Sequence, residues 1–255
     1  MAEHSNGGRT AIVIGGGLAG MLAVTALLGH VEAITVVERD RYPEGRTFRK
    51  GVPQARHLHI LLSGGQRALE ELLPGTVAAL GEVGARSLYL PRDLLTRTPT
   101  GWQRRFDERR HRTLSVTRPV LDAVVRERAL RAAAGSSTRV EVLEATEVTG
   151  LTGDADRVTG VRVRSRDGAR GAGRDLPAAL VVDASGRGSR APQWFAELGR
   201  ARPRRRPSTR GWRTPPGCTA PRTRTPPPRS VSTSPAGRSA RAAPPTCPSR
   251  TARGC

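Results

Sequence analysis

The chain has 255 residues, a formal net charge of +21 and 36% hydrophobic residues. That length allows one or two domains and that apolar content supports a core, which excludes a chain disordered throughout. The charge is unevenly spread, because residues 200–255 hold fourteen Arg and no acid and leave only +7 for the first 199 residues; the basicity of the whole is therefore no sign that the folded part binds nucleic acid.

After a polar leader, Met1 to Arg9, the chain reads strand, glycine turn, helix, strand, acid. Ala11-Ile12-Val13-Ile14 is a short β-branched run that feeds into Gly15-Gly16-Gly17-Leu18-Ala19-Gly20, a G-x-G-x-x-G pattern. Leu18 to Leu28 has no Pro and no charge, as expected of a helix packed on a sheet, and Gly29 can end it. Ile34 to Val37 reads as a second buried strand, closed by Glu38. If a dinucleotide binds here, Gly15 permits the sharp turn, Gly17 lets the backbone approach a pyrophosphate and Gly20 lets helix and strand pack closely. The helix N-terminus offers unpaired N–H groups to the phosphates. Glu38 lies at about the spacing at which a carboxylate takes a ribose hydroxyl. The glycines alone are a weak signal in a chain with 29 Gly; the register of strand, helix, strand and acid is what gives them weight. Four glycines in the run also exclude a membrane span over Ala11 to Leu28, and no signal peptide is legible there.

Arg39 to Arg56 is a basic loop, followed by His57-Leu58-His59-Ile60-Leu61-Leu62. His57 and His59 at i and i+2 invite a metal reading, but no third ligand is near, so solvent- or cofactor-facing histidines are favoured and no metal is expected. Gly65 to Leu73 reads as an amphipathic helix stopped by Pro74-Gly75, and Val77 to Val83 as another. Ser87 to Leu90 and Trp102 to Phe106 read as strands of an inserted layer. Arg92, Arg97, Arg109, Arg110 and Arg112 around them read as a solvated face. Thr117-Arg118-Pro119 opens a helix with Val120, Leu121, Val124, Val125 and Leu130 as its apolar stripe up to Ala134-Gly135. Val140 to Val142 is a strand, Glu147 to Thr149 with Val158 to Val163 an alternating hairpin, and Ala179 to Val182 a buried strand running into Asp183-Ala184-Ser185-Gly186.

Beyond Gly199 the text changes abruptly to Arg, Pro, Thr and Ser, with twelve Pro and all three cysteines, Cys218, Cys247 and Cys255. Such a stretch cannot bury enough surface to offset its chain entropy and is expected to be disordered. Three origins stay open: a natural disordered extension, a polyanion-binding tail, or an out-of-frame read of a GC-rich gene. An odd number of cysteines with neither zinc nor disulfide spacing points to a reducing, cytoplasmic setting.

These pieces together resemble the FAD-dependent oxidoreductases of the aromatic-hydroxylase type, which include flavin monooxygenases, geranylgeranyl-reductase-like enzymes and flavin halogenases. The resemblance is closest to actinobacterial members. It rests on the glycine motif, Glu38, the run Arg49 to His59, Gly101-Trp102 with Arg105-Phe106, Ser115 to Leu121, and Val181 to Arg190. It covers Arg9 to about Gly199 and implies an α/β fold: a Rossmann-like FAD-binding domain of the glutathione-reductase type over residues 10–199, with a β-containing insertion at about 54–114 and the disordered basic tail at 200–255. By position, it implies that FAD lies on Gly15, Gly17, Leu18, Ala19 and Gly20, with its ribose on Glu38 beside Arg39. Arg118 would face the flavin side, the Val148 backbone the adenine, and Asp183 and Gly186 the second fingerprint. In that fingerprint an Asp-Gly pair is expected where this chain has Ser185-Gly186. The implied activity is reduction of the flavin by NAD(P)H and action on a small organic substrate, in a chain that is apparently truncated, because the family's later Gly-Asp motif is absent from the tail. No catalytic side chain is implied, no membrane span, and no nucleic-acid partner despite the basic tail. An NAD-dependent dehydrogenase, or a non-catalytic nucleotide- or polyanion-binding protein, are the alternatives.

Overall fold

The structure is a computed structural model that describes residues 9–56, 59–90, 92–104, 107–109, 111–167 and 173–201. All of these fall in the first of the two units into which the chain divides, Met1–Arg205. His57, the Arg105-Phe106 pair and nearly all of the Arg/Pro-rich tail with its three cysteines lie outside the described residues.

The apolar run of β1 (Thr10–Ile14) sits inside a four-stranded parallel sheet because both of its faces are covered. Strand β2 (Ala33–Val37) follows β1 through helix α1 (Leu18–Leu27), β8 (Arg139–Leu143) pairs with β2, and β12 (Leu180–Asp183) pairs with β1 on the other side, giving the order β12-β1-β2-β8. Along β1 the side chains alternate between two cores. Ala11 and Val13 join Met21 and Val24 of α1 together with Leu121, Val124 and Val125. Ile12 and Ile14 join Val148, Val161, Val163 and Trp194 on the opposite face. A strand buried on both faces reads as continuous hydrophobicity rather than alternation, as it does here.

The helical layer combines α1 with α4 (Arg118–Ala134), which opens at Thr117 with Pro119 in its first turn. The buried face of α4 carries Leu121, Val124 and Val125 as expected, but it continues through Ala129 and Ala133. Leu130 is only half-buried. Small residues at 129 and 133 let helices approach closely, and a pattern that weights large side chains misses them.

Between β2 and α4 lie β3 (Ile60–Leu61), α2 (Ser63–Leu72), α3 (Thr76–Glu82), β4 (Arg86–Leu90), β5 (Arg97–Thr98), β6 (Gly101–Trp102) and β7 (His111–Ser115). Strands β3, β7 and β4 form a small antiparallel sheet, while β5 and β6 form a separate hairpin. Of the strand expected from Trp102 to Phe106, the described residues show a strand at Gly101–Trp102, paired with Arg97–Thr98, and none at Gln103 or Arg104. Glu70 of α2 ties the tight α2–α3 link by accepting the N–H groups of Gly75 and Val77 at 2.7 and 2.5 Å.

The opposite layer is a three-stranded antiparallel sheet of β9 (Thr146–Gly153), β10 (Val158–Ser165) and β11 (Arg174–Pro177), completed by helix α5 (Ala191–Glu197). The expected hairpin is β9–β10. Its third strand, Arg-Asp-Leu-Pro, carries no periodic signal and is held by pairing of Val161 with Leu176.

Candidate functional site

Register brings the site together. Ile14 pairs with Val37 on one side and with Asp183 on the other, and Val37 pairs with Leu143. All four strands therefore end at one edge, and the residues that follow them, Gly15, Glu38, Ala184 and Glu144, share it. This is the carboxyl edge where open parallel sheets bind ligands. A cleft of about 280 Å³ opens there, lined by Gly15, Gly17, Leu18, Ala19, Glu38, Arg39, Arg118, Val148 and Gly186 among others.

Three glycines of the turn differ in what fixes them. Gly15 has φ +95°, and a Cβ on it would come within 2.8 Å of the Ala184 carbonyl oxygen. A Cβ on Gly20 would lie 1.8 Å from the Gly15 carbonyl oxygen. Gly20 thus touches the turn's own backbone rather than the cleft. Gly17 is different: it is extended, with φ −79° and ψ −171°, and a Cβ there would meet only Arg49 Nη2 at 3.3 Å. As N-cap of α1, Gly17 offers no side-chain cap, and the first intrahelical bond is Met21 N–H to Gly17 C=O. The N–H groups at the start of the helix are left for a ligand.

Glu38 is 5% exposed. Its carboxylate accepts the Gly16 N–H at 2.7 Å and the Asp40 N–H at 2.9 Å. Oε2 also lies 3.0 Å from Arg49 Nη1. The ion pair is close but not aligned, and Arg49 Nε and Nη1 are buried without a hydrogen bond. Tyr42 donates its hydroxyl to the Gly16 carbonyl at 2.9 Å. Burial first, and then the Glu38 charge, push the Tyr42 phenol well above its ordinary value, so it stays a donor.

On the far wall, Arg118 Nε donates to Asp122 Oδ1 at 2.6 Å, and its Nη1 lies 3.4 Å from His59 Nε2. The α4 start thereby holds this guanidinium at the cleft. Val148 lines the cleft from β9, and Trp194 closes it from α5 with its indole Nε1 buried and unpartnered. Asp183 does not line the cleft. Its carboxylate accepts the Ser185 N–H at 2.9 Å, the Ser185 hydroxyl at 2.5 Å and the Ser189 hydroxyl, which shapes the turn that carries Gly186 at φ +80°. The structure thus collects Gly15, Gly17, Leu18, Ala19, Glu38, Arg39, Arg118, Val148 and Gly186 around one space, with Gly20 and Asp183 behind it. Sequence reasoning did not single out Arg49, Tyr42 or Trp194. Arg49 lay in a basic run that does announce a cation near the turn, whereas Tyr42 and Trp194 carry no local signal. Among the described residues no group of His, Cys, Asp and Glu can hold a metal, and no helix is long and apolar enough to cross a membrane.

Known proteins resemble this chain in sequence or fold. The chain is 33% identical to Protein Rv3254 of Mycobacterium tuberculosis over 198 residues, which are 76% of this chain and 41% of that protein. Its fold matches PqsL of Pseudomonas aeruginosa, a probable FAD-dependent monooxygenase, with TM-score 0.52 and 22% identity over 77% of this chain and 48% of that one. It also matches p-nitrophenol 4-monooxygenase PnpA of Pseudomonas putida DLL-E4, with TM-score 0.51 and 19% identity over 73% and 44% of the two chains. The chain therefore spans less than half the length of each of these relatives. Residues 9–197 match the model of the FAD binding domain family, and with the glycine turn and the acid at the edge of the sheet in place, the chain belongs to that family.

Proposed function

We propose that the cleft holds the ADP part of FAD, and that the chain is the nucleotide-binding portion of an oxidoreductase of the monooxygenase type. The observation that carries this reading is the unfilled position beside Gly17. There the start of α1 presents its first amides, and Arg49 reaches in with Nη2 3.3 Å from where a Cβ would be, its Nε and Nη1 being buried without hydrogen bonds. An anion is what such a donor set takes, and the pyrophosphate of a dinucleotide fits it. In this reading Gly15, Gly17, Leu18, Ala19 and Arg49 surround the phosphates, with Gly20 behind them keeping α1 close to β1. The free lone pairs of Glu38 take a ribose hydroxyl beside Arg39, Val148 lies against the adenine, and Gly186 and Arg118 border the flavin side, with Asp183 shaping the turn.

Bound flavin supplies redox chemistry with a reduced nicotinamide, NAD(P)H, and an organic substrate. The chain's own contribution is to bind, orient and exclude water from one side of the cofactor. Aromatic small molecules are the substrate class in view, since PnpA is by name a p-nitrophenol monooxygenase and PqsL has been solved with 2-aminobenzoylacetate. A cytoplasmic setting fits the use of NAD(P)H. Because the chain covers 41% of its curated relative, turnover is expected to need more protein than these residues supply.

Titrating the purified chain with FAD and with NAD, following flavin fluorescence and nicotinamide absorbance, tests the assignment. Saturable FAD binding that NAD does not displace is the expected result. Binding of NAD alone would transfer the site to a nicotinamide dehydrogenase, and binding of neither would remove the cofactor reading.

A further inference from the structure

We propose that Tyr42 is a positioning residue for the cofactor turn, holding the peptide between Gly16 and Gly17 so that the Gly17 amide faces away from the protein's interior. The proposal rests on the reading of the cleft as an FAD site and adds a residue that the glycine motif does not contain.

The segment 38–42 takes the Gly16 N–H and supplies the nearer of two donors to its carbonyl; the second, Arg49 Nη2, stands at 3.5 Å. The Gly16 N–H goes to Glu38 at 2.7 Å and the carbonyl accepts the Tyr42 hydroxyl at 2.9 Å. A trans peptide is planar, with its C=O and N–H pointing in opposite directions. Fixing the Gly16 carbonyl on Tyr42 therefore turns the Gly17 N–H away from Tyr42. Tyr42 is itself held at three points. Its N–H donates to Glu144 Oε2 at 2.8 Å, and its ring lies 4.2 Å from the Arg126 guanidinium of α4 and 5.3 Å from that of Arg49. Such contacts orient an aromatic ring as well as attract it.

The residue at 16 agrees. Gly16 has no left-handed φ, so its backbone conformation does not demand glycine, and in G-x-G its position is free. A Cβ there would, however, stand 1.9 Å from Tyr42 Oη. Glycine at 16 is thus required by the tyrosine.

The test uses the full chain with Y42F, G16A and the double variant. Y42F keeps the ring and its contacts and removes only the donor, so the fold is expected to survive. Hydrogen exchange of the ligand-free protein should show the amides of the 15–20 turn exchanging faster in Y42F, and FAD affinity should fall about five- to tenfold, the worth of one hydrogen bond. G16A should weaken FAD binding at least tenfold in the native background and clearly less on top of Y42F, a suppression that a general loss of stability does not produce. Unchanged exchange in Y42F, or an equal G16A penalty in both backgrounds, would overturn the proposal. Exchange requires no cofactor, so a wild-type chain that binds no FAD sinks the cofactor reading while the role of Tyr42 in holding the turn is still decided.

Discussion

Replacing Glu38 with Gln tests whether the buried acid holds the turn together before any cofactor arrives. The side chains of Glu38 and Arg49 are only 7% and 9% exposed, so removing the negative charge leaves a guanidinium inside the protein with no counter-charge in contact, a change that costs about 3–5 kcal/mol. The amide also presents an NH2 group to one of two backbone N–H donors, those of Gly16 and Asp40, which in the native chain donate to the two carboxylate oxygens. We expect a loss of about 4 kcal/mol, a large share of a total stability of about 5–15 kcal/mol. With a urea dependence of about 2 kcal/mol per molar, the unfolding midpoint moves down by about 2 M. Urea unfolding of the ligand-free chain followed by far-UV circular dichroism measures it. The double variant E38Q/R49M should recover part of the loss, because an apolar residue in place of the orphaned cation removes the uncompensated charge. A midpoint for E38Q within about 0.5 M of the native chain, or a double variant no more stable than E38Q, would show that the pair does not hold the turn.

Three further outcomes follow from the same geometry. G20A forces a Cβ to within 1.8 Å of the Gly15 carbonyl oxygen and should destabilise the ligand-free fold by about 3 kcal/mol, the upper end for overpacking; G17A, whose Cβ would meet only Arg49 Nη2 at 3.3 Å, should cost about 1 kcal/mol or less in the same unfolding assay while weakening FAD binding at least tenfold. The raised Tyr42 phenol contributes stability that is full below its ordinary value of 10 and is lost as pH rises above it, so alkaline unfolding should be steeper in the native chain than in Y42F. Glu70 is held below its ordinary 4.5, chiefly by the Val77 N–H; its contribution is present above 4.5 and lost as pH falls through the lowered value, so E70Q should flatten the acid limb of stability, read by thermal melts across pH.

Much of this was legible because β1 and its glycine turn are local. Two strands buried on both faces, a helix without charge and an acid at the next strand end each leave a mark within thirty residues, and the structure keeps all of them. The hairpin β9–β10 and helix α4 were legible for the same reason, through alternation and through the Thr117-Arg118-Pro119 start. What escaped depends on distant partners. Strand β11 exists because Leu176 meets Val161, and the side chain of Tyr42 acquires its position from Arg126, 84 residues away along the chain. Leu130 was overvalued in the α4 stripe because size stood in for burial, whereas Ala129 and Ala133 are what the packing selects.

The four glycines between 15 and 20 show why the motif alone is a poor guide and its surroundings a good one. Gly15 is glycine for its left-handed backbone and for Ala184, Gly20 for the carbonyl of Gly15, and Gly16 for the hydroxyl of Tyr42. Each of those requirements is met inside the folded chain and would exist with no ligand at all. Only at Gly17 does the protein impose no comparable demand: the backbone is ordinary, and the one atom a Cβ would meet is an arginine nitrogen at 3.3 Å rather than backbone. If the residue there is constrained, the constraint comes from something the chain binds. Position 17 therefore separates cofactor affinity from stability, and a substitution there that lowers both equally would mean that the turn is built only to fold.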